Sequence, residues 1–133
     1  MIDKNFTYAV VGASNDKNKY GYKVFEDLLS AGYKVIPINP NEEKILGKKC
    51  YKNLSNYEKK IDFVIFVVPP KVTEKILEEI KIINNTRLEA LIQQVWMQPG
   101  SESKKAIGFC KKNNIKFVIN SCIMIQKNKK NSI

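Results

Sequence analysis

The chain has 133 residues, which predicts one domain with a single core, and its hydrophobic content of 44% excludes wholesale disorder. Its formal charge of +10 comes almost entirely from lysines spread along the chain, with Arg87 as the only arginine. Proteins that read nucleic acid usually rely on arginine, whose planar fork binds bidentately, so this composition disfavours a dedicated nucleic-acid binder.

Targeting and cysteine patterns point to a cytoplasmic protein without a membrane segment. No basic leader runs into a long apolar stretch, and the longest apolar run, Phe63–Pro70, is far shorter than the roughly 20 residues of a membrane-spanning helix. Cys50, Cys110 and Cys122 are odd in number and widely spaced, which suggests neither a disulfide framework nor a zinc site.

The first elements form a strand, a glycine turn and a helix. Thr7–Val11 is a predicted strand that ends at Gly12, and Tyr22–Ala31 has apolar residues at helical spacing. Lys34–Ile38 is a second predicted strand. The turn between the first strand and the helix would direct free backbone N–H groups at a ligand, where the helix dipole favours negative charge.

Predicted strands and helices continue to alternate along the rest of the chain. Asp62–Val68 is continuously apolar, which is typical of a central strand in a parallel sheet, and Val72–Ile83 carries a helical apolar stripe. Leu88–Ile92 is predicted as a fourth strand, Glu102–Asn113 as a helix and Lys116–Ile119 as a fifth strand. The alternation predicts an α/β, Rossmann-like fold with an open, parallel, five-stranded sheet in the order 3-2-1-4-5 and helices on both faces.

We expect a domain over residues 1–126 and a polar, frayed tail over residues 127–133. Ligands of such sheets bind beyond the carboxyl ends of the strands. Three segments should therefore meet in one crevice: Gly12–Tyr20, Asn39–Asn41 and Val67–Lys71.

The residues of this crevice favour an adenosine ligand with an additional phosphate. The loop GASNDKNKYG matches a dinucleotide fingerprint only in part, and no acid follows the second strand to bind a ribose hydroxyl, which disfavours NAD. Neutral Asn39, with Lys17, Lys19 and Lys44 nearby, suits NADP or coenzyme A, and Ser14 could donate a hydroxyl to a phosphate. The alternative interpretation is that these residues bind no ligand: Gly12 then only makes a tight turn, and the lysines are solvated.

Three further features have both a structural and a functional reading. Val67–Pro70 could provide an apolar wall for an adenine, or its prolines could simply end the strand. Trp96 could line the crevice, although core packing is the expected role. Cys122 could form a mixed disulfide with a CoA thiol, but we expect a buried, inert thiol.

From about Tyr8 to Gln126 the chain resembles the small, single-domain CoA-binding proteins, which are related to the CoA-binding domain of the succinyl-CoA ligase α subunit. The order and spacing of several short motifs carry the resemblance: AVVGAS, the YG at Tyr20-Gly21, GYKVIPINP, GKKCY, WMQPG and the late Cys122. Gln126 stands where the family often has an acid, and we attach no role to it.

The resemblance implies that coenzyme A or an acyl-CoA binds to the first loop and to the ends of the second and third strands. The implied binding residues are Gly12, Ala13, Ser14, Lys19, Tyr20, Asn39, Pro40, Val68, Pro69 and Pro70.

The sequence favours binding over catalysis. It contains no histidine, whereas a succinyl-CoA ligase works through a phosphohistidine carried on a further domain. We therefore expect non-catalytic CoA or acyl-CoA binding, with an NADP-dependent oxidoreductase and a lysine-rich nucleic-acid binder as alternatives. A protein partner or a homo-oligomer stays open. Replacement of Gly12 by valine is expected to abolish binding and leave the fold largely intact.

Overall fold

The computed structural model describes residues 2–131 and contains one five-stranded parallel sheet with four α-helices and one short 3-10 helix, Leu54–Asn56. Its elements are β1 (Thr7–Val11), α1 (Tyr20–Ser30), β2 (Lys34–Ile38), β3 (Lys44–Ile45), β4 (Lys48–Lys49), β5 (Phe63–Phe66), α2 (Pro70–Thr86), β6 (Gln94–Met97), α3 (Lys104–Lys112), β7 (Lys116–Val118) and α4 (Ile123–Asn131). Strands β3 and β4 form a separate antiparallel hairpin. Among the described residues, no helix has the length and apolar character needed to cross a bilayer.

The parallel α/β architecture is confirmed, but the predicted strand order needs a correction. The observed order is β2-β1-β5-β6-β7, which is 2-1-3-4-5 when the five sheet strands are counted along the chain, instead of 3-2-1-4-5. Strand β5 pairs with both β1 and β6, and all four of its residues are buried. A strand that is apolar on both faces needs cover on both sides, which the centre of the sheet provides and an edge does not.

Helices cover both faces, as predicted. Successive side chains of a strand point to opposite faces, so Tyr8 and Val10 pack towards α1 and α4 while Ala9 and Val11 pack towards α2 and α3. The core on the first face includes Phe25, Leu28, Phe63, Ile65 and Trp96, and the core on the second includes Phe66, Leu77, Ile80, Met97 and Cys110. Both faces of the sheet are therefore packed against helices, and the carboxyl ends of its strands form one edge.

The fourth strand lies further along the chain than predicted. Strand β6 begins at Gln94, whereas the predicted strand Leu88–Ile92 is a loop in which Leu88 is 74% exposed. The side chain of Asn84 binds both the N–H and the carbonyl of Ile92, at 2.7 and 2.9 Å. These bonds satisfy the backbone outside the sheet, so the shorter buried run Val95–Met97 becomes the strand.

The predicted boundary after residue 126 falls inside α4. Lys127 is buried, with 5% of its surface exposed, and its Nζ lies 3.3 Å from an oxygen of Asp27 in α1. The helix is thus packed onto the domain, and residues 127–131 belong to it. The last part of the predicted tail, residues 132–133, lies outside the described residues.

Candidate functional site

The loop between β1 and α1 is closely packed at the carboxyl edge of the sheet. Gly12 has φ +96°, a backbone conformation that favours glycine, and its N–H donates to the carbonyl of Ile38 at 3.1 Å. A Cβ at Gly21, the second residue of α1, would lie 1.9 Å from the carbonyl oxygen of Gly12. The two glycines therefore let the helix begin directly against the turn, which brings its N-terminus to the groove.

Side-chain hydrogen bonds order the rest of the loop. Ser14 Oγ accepts from the N–H of Asp16 at 3.0 Å, and Asp16 Oδ1 accepts from the N–H of Asn18 at 3.0 Å. Asp16 therefore orients the loop. The hydroxyl of Ser14 acts here as an acceptor, so its own proton remains free to donate.

The first turn of α1 has the properties of an anion site. Lys19 is the N-cap but makes no side-chain capping bond, and no acidic residue lies in the first turn. Within the described part of the chain, the N–H groups of Tyr20 and Gly21 have no hydrogen-bond acceptor. Unpaired donors, the helix dipole and the nearby lysine together favour a negatively charged ligand at this point.

Asn39, directly after β2, connects three backbone segments. Its Nδ2 donates to the carbonyl of Ala13 at 2.8 Å, and its Oδ1 accepts from the N–H of Asn41 at 2.8 Å. Its own N–H donates to the carbonyl of Tyr51 at 2.9 Å. With both ends of its amide engaged, Asn39 positions the first loop and the end of β2 relative to each other.

The segment after β5 forms the opposite wall. The N–H of Val67 donates to Val11 at 2.9 Å, and the N–H of Val68 donates to Ser101 Oγ at 3.1 Å. Pro69 is the N-cap of α2 and Pro70 its first residue, where a missing N–H costs no helical bond. The prolines thus end one element and begin the next, while Val68 and Pro69 face the groove.

The three segments enclose one continuous groove with two parts. The narrow groove, about 390 Å³, lies at the N-terminus of α1 and is lined by Gly12, Ser14, Lys19, Tyr20, Gly21, Asn39, Val67, Val68 and Pro69. The wide groove, about 650 Å³, runs along α2 and is lined by Val11, Gly12, Ile38, Asn39, Pro40, Asn41, Lys52, Asn53, Val68, Val72, Lys75, Ile76, Glu78, Glu79 and Ile82. The two parts share Gly12, Asn39 and Val68, so they adjoin at these residues.

Most of the residues predicted for the site line this groove. Gly12, Ser14, Lys19, Tyr20, Asn39, Pro40, Val68 and Pro69 do so. Ala13 and Pro70 line neither part: the side chain of Ala13 is fully buried, and Pro70 begins α2. The carbonyl of Ala13 accepts the hydrogen bond from Asn39 Nδ2, so Ala13 supports the groove from behind its lining.

The lysines near the wide groove differ from those suggested by the sequence. Lys17 and Lys44 do not line it, whereas Lys52 and Lys75 do. The backbone carbonyl of Lys44 accepts a hydrogen bond from Asn15, at 2.8 Å, and Asn15 also bonds to Glu42. The apolar stripe of α2 was visible in the sequence, but nothing in it indicated that Val72 and Ile76 form a wall of the groove.

Trp96 and Cys122 occupy different environments. Trp96 is buried in the core, with Nε1 donating to the carbonyl of Ser121 at 2.8 Å, so core packing is its role in the fold. Cys122 is half-buried and within hydrogen-bond distance of Tyr20 Oη (3.0 Å) and Gln98 Nε2 (3.4 Å). The expectation that this thiol is buried is wrong, because Cys122 is only half-buried. Burial disfavours the thiolate, but hydrogen bonds from Tyr20, Gln98 and backbone amides outweigh it and lower the pKa of Cys122.

Comparison with known proteins gives a consistent result. The family model of the CoA binding domain matches residues 6–128. An acetate–CoA ligase (ADP-forming) of Methanocaldococcus jannaschii is 42% identical over 71 residues, which is 53% of this chain and 10% of the ligase. The α subunit of acetate–CoA ligase (ADP-forming) II of Pyrococcus furiosus is 42% identical over 83 residues, 59% of this chain and 18% of the subunit. The match thus spans less than a fifth of each of these relatives.

A solved structure is similar over nearly its full length. It is a conserved hypothetical protein of Pyrococcus furiosus, with a TM-score of 0.81 and 38% identity, covering 91% of this chain and 98% of that one. The family resemblance suggested by the sequence motifs is confirmed. Since the match extends over nearly the whole chain, this protein belongs to the family of CoA binding domains.

Proposed function

We propose that the chain binds coenzyme A or an acyl-CoA without transforming it. The diphosphate lies at the first turn of α1, the adenosine in the wide groove, and the pantetheine leaves through the narrow groove past Tyr20. The observation that carries the proposal is the free N-terminus of α1, with Lys19 beside it, at the junction of two connected grooves. Membership of the CoA binding domain family supports the choice of ligand.

The two parts of the groove suit the two chemical halves of such a ligand. In the wide groove, Val11, Ile38, Val68 and Val72 offer apolar contact to a base, and the asparagines at its edge offer hydrogen bonds. The narrow groove is bounded by Ser14, Lys19 and the α1 backbone, which suit phosphate oxygens. NADP shares the adenosine and the phosphates, so it remains the second candidate.

Binding without catalysis is supported by the groups that face the groove. The chain contains no histidine, and the titratable residues that line the groove are lysines, one tyrosine and two glutamates. Glu79 has one oxygen engaged with the N–H of Leu54 at 3.1 Å. The two ligase relatives carry the matching region within much longer proteins, and we assign to this chain only the binding part of such an activity.

Titration calorimetry with CoA, acetyl-CoA, NADP and NAD tests the proposal. We expect heat with both CoA species and none with NAD. Lys19→Gln should weaken CoA binding, because it removes a charge beside the phosphates, whereas Lys23→Gln is a control on the same helix that does not line the groove. Binding of NADP without binding of either CoA species would overturn the proposal. Consumption of acetyl-CoA by the purified protein would overturn its non-catalytic part.

A further inference from the structure

The ribose end of the wide groove carries two lysines that the sequence did not indicate as partners of a ligand. In nucleotide-binding sheets of this kind the ribose lies at the end of the second strand, where an acid binds its hydroxyls or a basic residue accepts an additional phosphate. Here β2 ends at Ile38, and Asn39 has both ends of its side chain engaged with the backbone. The residues that can meet a ribose substituent must therefore come from elsewhere.

Lys52 is brought to this point by a contact distant in sequence. Tyr51 forms an isolated parallel bridge with Ile38, and the N–H of Tyr51 donates to Pro37 at 3.0 Å while its carbonyl accepts from Asn39. The next residue, Lys52, is exposed and lines the wide groove. The bridge thus places Lys52 beside the end of β2.

Lys75 approaches the same groove from α2. It lies in the second turn of the helix, is exposed, and lines the same groove as Lys52. Neither lysine takes part in an ion pair among the described residues. Two ammonium groups of one groove, contributed by different segments and neither held in an ion pair among the described residues, suit a doubly charged phosphate.

Two carboxylates line the same groove and must be included in its charge. Glu79 accepts from the N–H of Leu54, so it anchors the loop that carries Lys52. Glu78 is exposed and lies one helical turn beyond Lys75. A solvated carboxylate reduces the local positive field but leaves the lysine ammonium groups free to bind.

We propose that Lys52 and Lys75 together recognise a phosphate on the ribose of the bound adenosine nucleotide and so select coenzyme A over dephospho-coenzyme A. This inference rests on the proposed function and specifies which ligand the site prefers. The lysines suggested by the sequence for an additional phosphate, Lys17 and Lys44, line neither part of the groove. Lys19 serves the diphosphate at the other end.

The test compares CoA with dephospho-CoA, which differ only in the ribose phosphate, by calorimetry at one fixed ionic strength. The wild-type chain should prefer CoA by at least about tenfold, as expected for charge-assisted bonds to one phosphate. Lys52→Gln/Lys75→Gln should bring the ratio close to one, with the affinity for dephospho-CoA unchanged. Lys48→Gln/Lys81→Gln removes the same charge from exposed positions outside the groove and should retain the wild-type preference.

Three other outcomes would overturn the inference, and each would identify a different reason. Equal wild-type affinity for the two ligands would reject the inference and leave CoA binding in place. An equal loss of preference in the control variant would show a general charge effect instead of recognition by these two lysines. Wild-type protein that binds neither ligand would reject the proposed function together with the inference.

Discussion

The hydroxyl of Tyr20 lies 3.0 Å from the sulfur of Cys122, so a hydrogen bond joins the first residue of α1 to the residue that precedes α4. The pKa values of the two groups shift in opposite directions. The bond to Cys122, followed by burial, raises the pKa of Tyr20 to about 12. Burial alone would raise the pKa of Cys122, but its hydrogen bonds lower it. Both directions are those expected when a phenol donates to the sulfur, since such a bond favours the thiolate of Cys122 and disfavours the phenolate of Tyr20.

This geometry predicts that Cys122 is the most reactive of the three cysteines. Burial raises the pKa of Cys50 and raises that of Cys110 to about 11, so both remain thiols at neutral pH. A lowered pKa means that the thiolate fraction of Cys122 is already larger near neutral pH than that of an unperturbed thiol. Iodoacetamide should therefore modify Cys122 first, which peptide mass spectrometry after short labelling will show.

Tyr20→Phe should raise the pH midpoint of this alkylation, because it removes a donor from the thiolate while keeping the ring. Tyr22→Phe, on the same helix, serves as the control, and in denaturant the three cysteines should react alike. An unchanged midpoint in Tyr20→Phe would mean that the phenol does not stabilise the thiolate. Tyr20 also lines the narrow groove, so CoA should slow the labelling if it binds there.

Gly21→Ala should destabilise the fold, although alanine is the better helix former. Its Cβ would lie 1.9 Å from the carbonyl oxygen of Gly12 and 2.8 Å from the carbonyl carbon, so helix and turn would have to separate. Overpacking of this kind typically costs about 1–3 kcal/mol. Urea denaturation measures the loss as a lower midpoint.

Gly108→Ala is the matched control for this prediction. Gly108 is exposed in α3, and a Cβ there would have no heavy atom within 4 Å. Alanine should therefore raise the free energy of unfolding by roughly 0.5–1 kcal/mol through its lower entropic cost in a helix. Equal behaviour of the two variants would show that the contact between Gly21 and Gly12 does not matter.

The close packing around Gly12 also changes the expectation for Gly12→Val, which the sequence predicts to leave the fold largely intact. A Cβ on Gly12 would lie 2.2 Å from the carbonyl oxygen of Val67, and its φ of +96° is strained for a β-branched residue. The variant should therefore lose stability as well as binding, which circular dichroism against temperature will show. A wild-type melting temperature would restore the earlier expectation. Lys19→Gln is the more selective variant for the site, because Lys19 is exposed and its side chain makes no capping bond.

Local pattern was enough to predict the parts of the site that follow directly from strand ends. The strand Thr7–Val11, the turn at Gly12 and the strand Lys34–Ile38 could be predicted because periodicity and glycine act within a few residues. The position of Lys52 at the groove could not be predicted in this way, because it depends on a single bridge between Tyr51 and Ile38, which are distant in sequence. Periodicity also cannot distinguish a groove wall from a core stripe, since Val72 is apolar in either role.

The strand order and the fourth strand show a related limit. Apolar content indicated correctly that the strand from Phe63 is central, yet the strand order depends on which strands pair across long sequence separations, and the periodicity within one strand does not show its partner. Leu88–Ile92 is predicted as a strand, but the side chain of Asn84 binds the N–H and the carbonyl of Ile92 outside the sheet. Side-chain capping of a loop by a residue on a neighbouring helix leaves no periodic signal.

The buried pair between Lys127 and Asp27 predicts that the C-terminal helix contributes to stability. The side chain of Lys127 is 6% exposed and that of Asp27 is 33% exposed, so the pair is partly shielded from water. Lys127→Met keeps most of the apolar stem but leaves the carboxylate without its partner. The loss should be about 1–2 kcal/mol, less than for a fully buried pair because Asp27 retains water. Chemical denaturation measures it.

A double-mutant cycle separates the pair from simple packing. Asp27→Asn/Lys127→Met should recover part of the stability lost in Lys127→Met, since it no longer leaves a charge unpaired at this position. Strictly additive losses would mean that the two charges do not interact and that Lys127 acts through its stem alone. Removal of residues 127–133 should destabilise the fold at least as much as Lys127→Met, because it also shortens α4, the helix that contacts α1. If the truncated protein is as stable as the wild type, the predicted domain boundary at residue 126 holds. Residues 127–133 then contribute nothing to the stability of the domain.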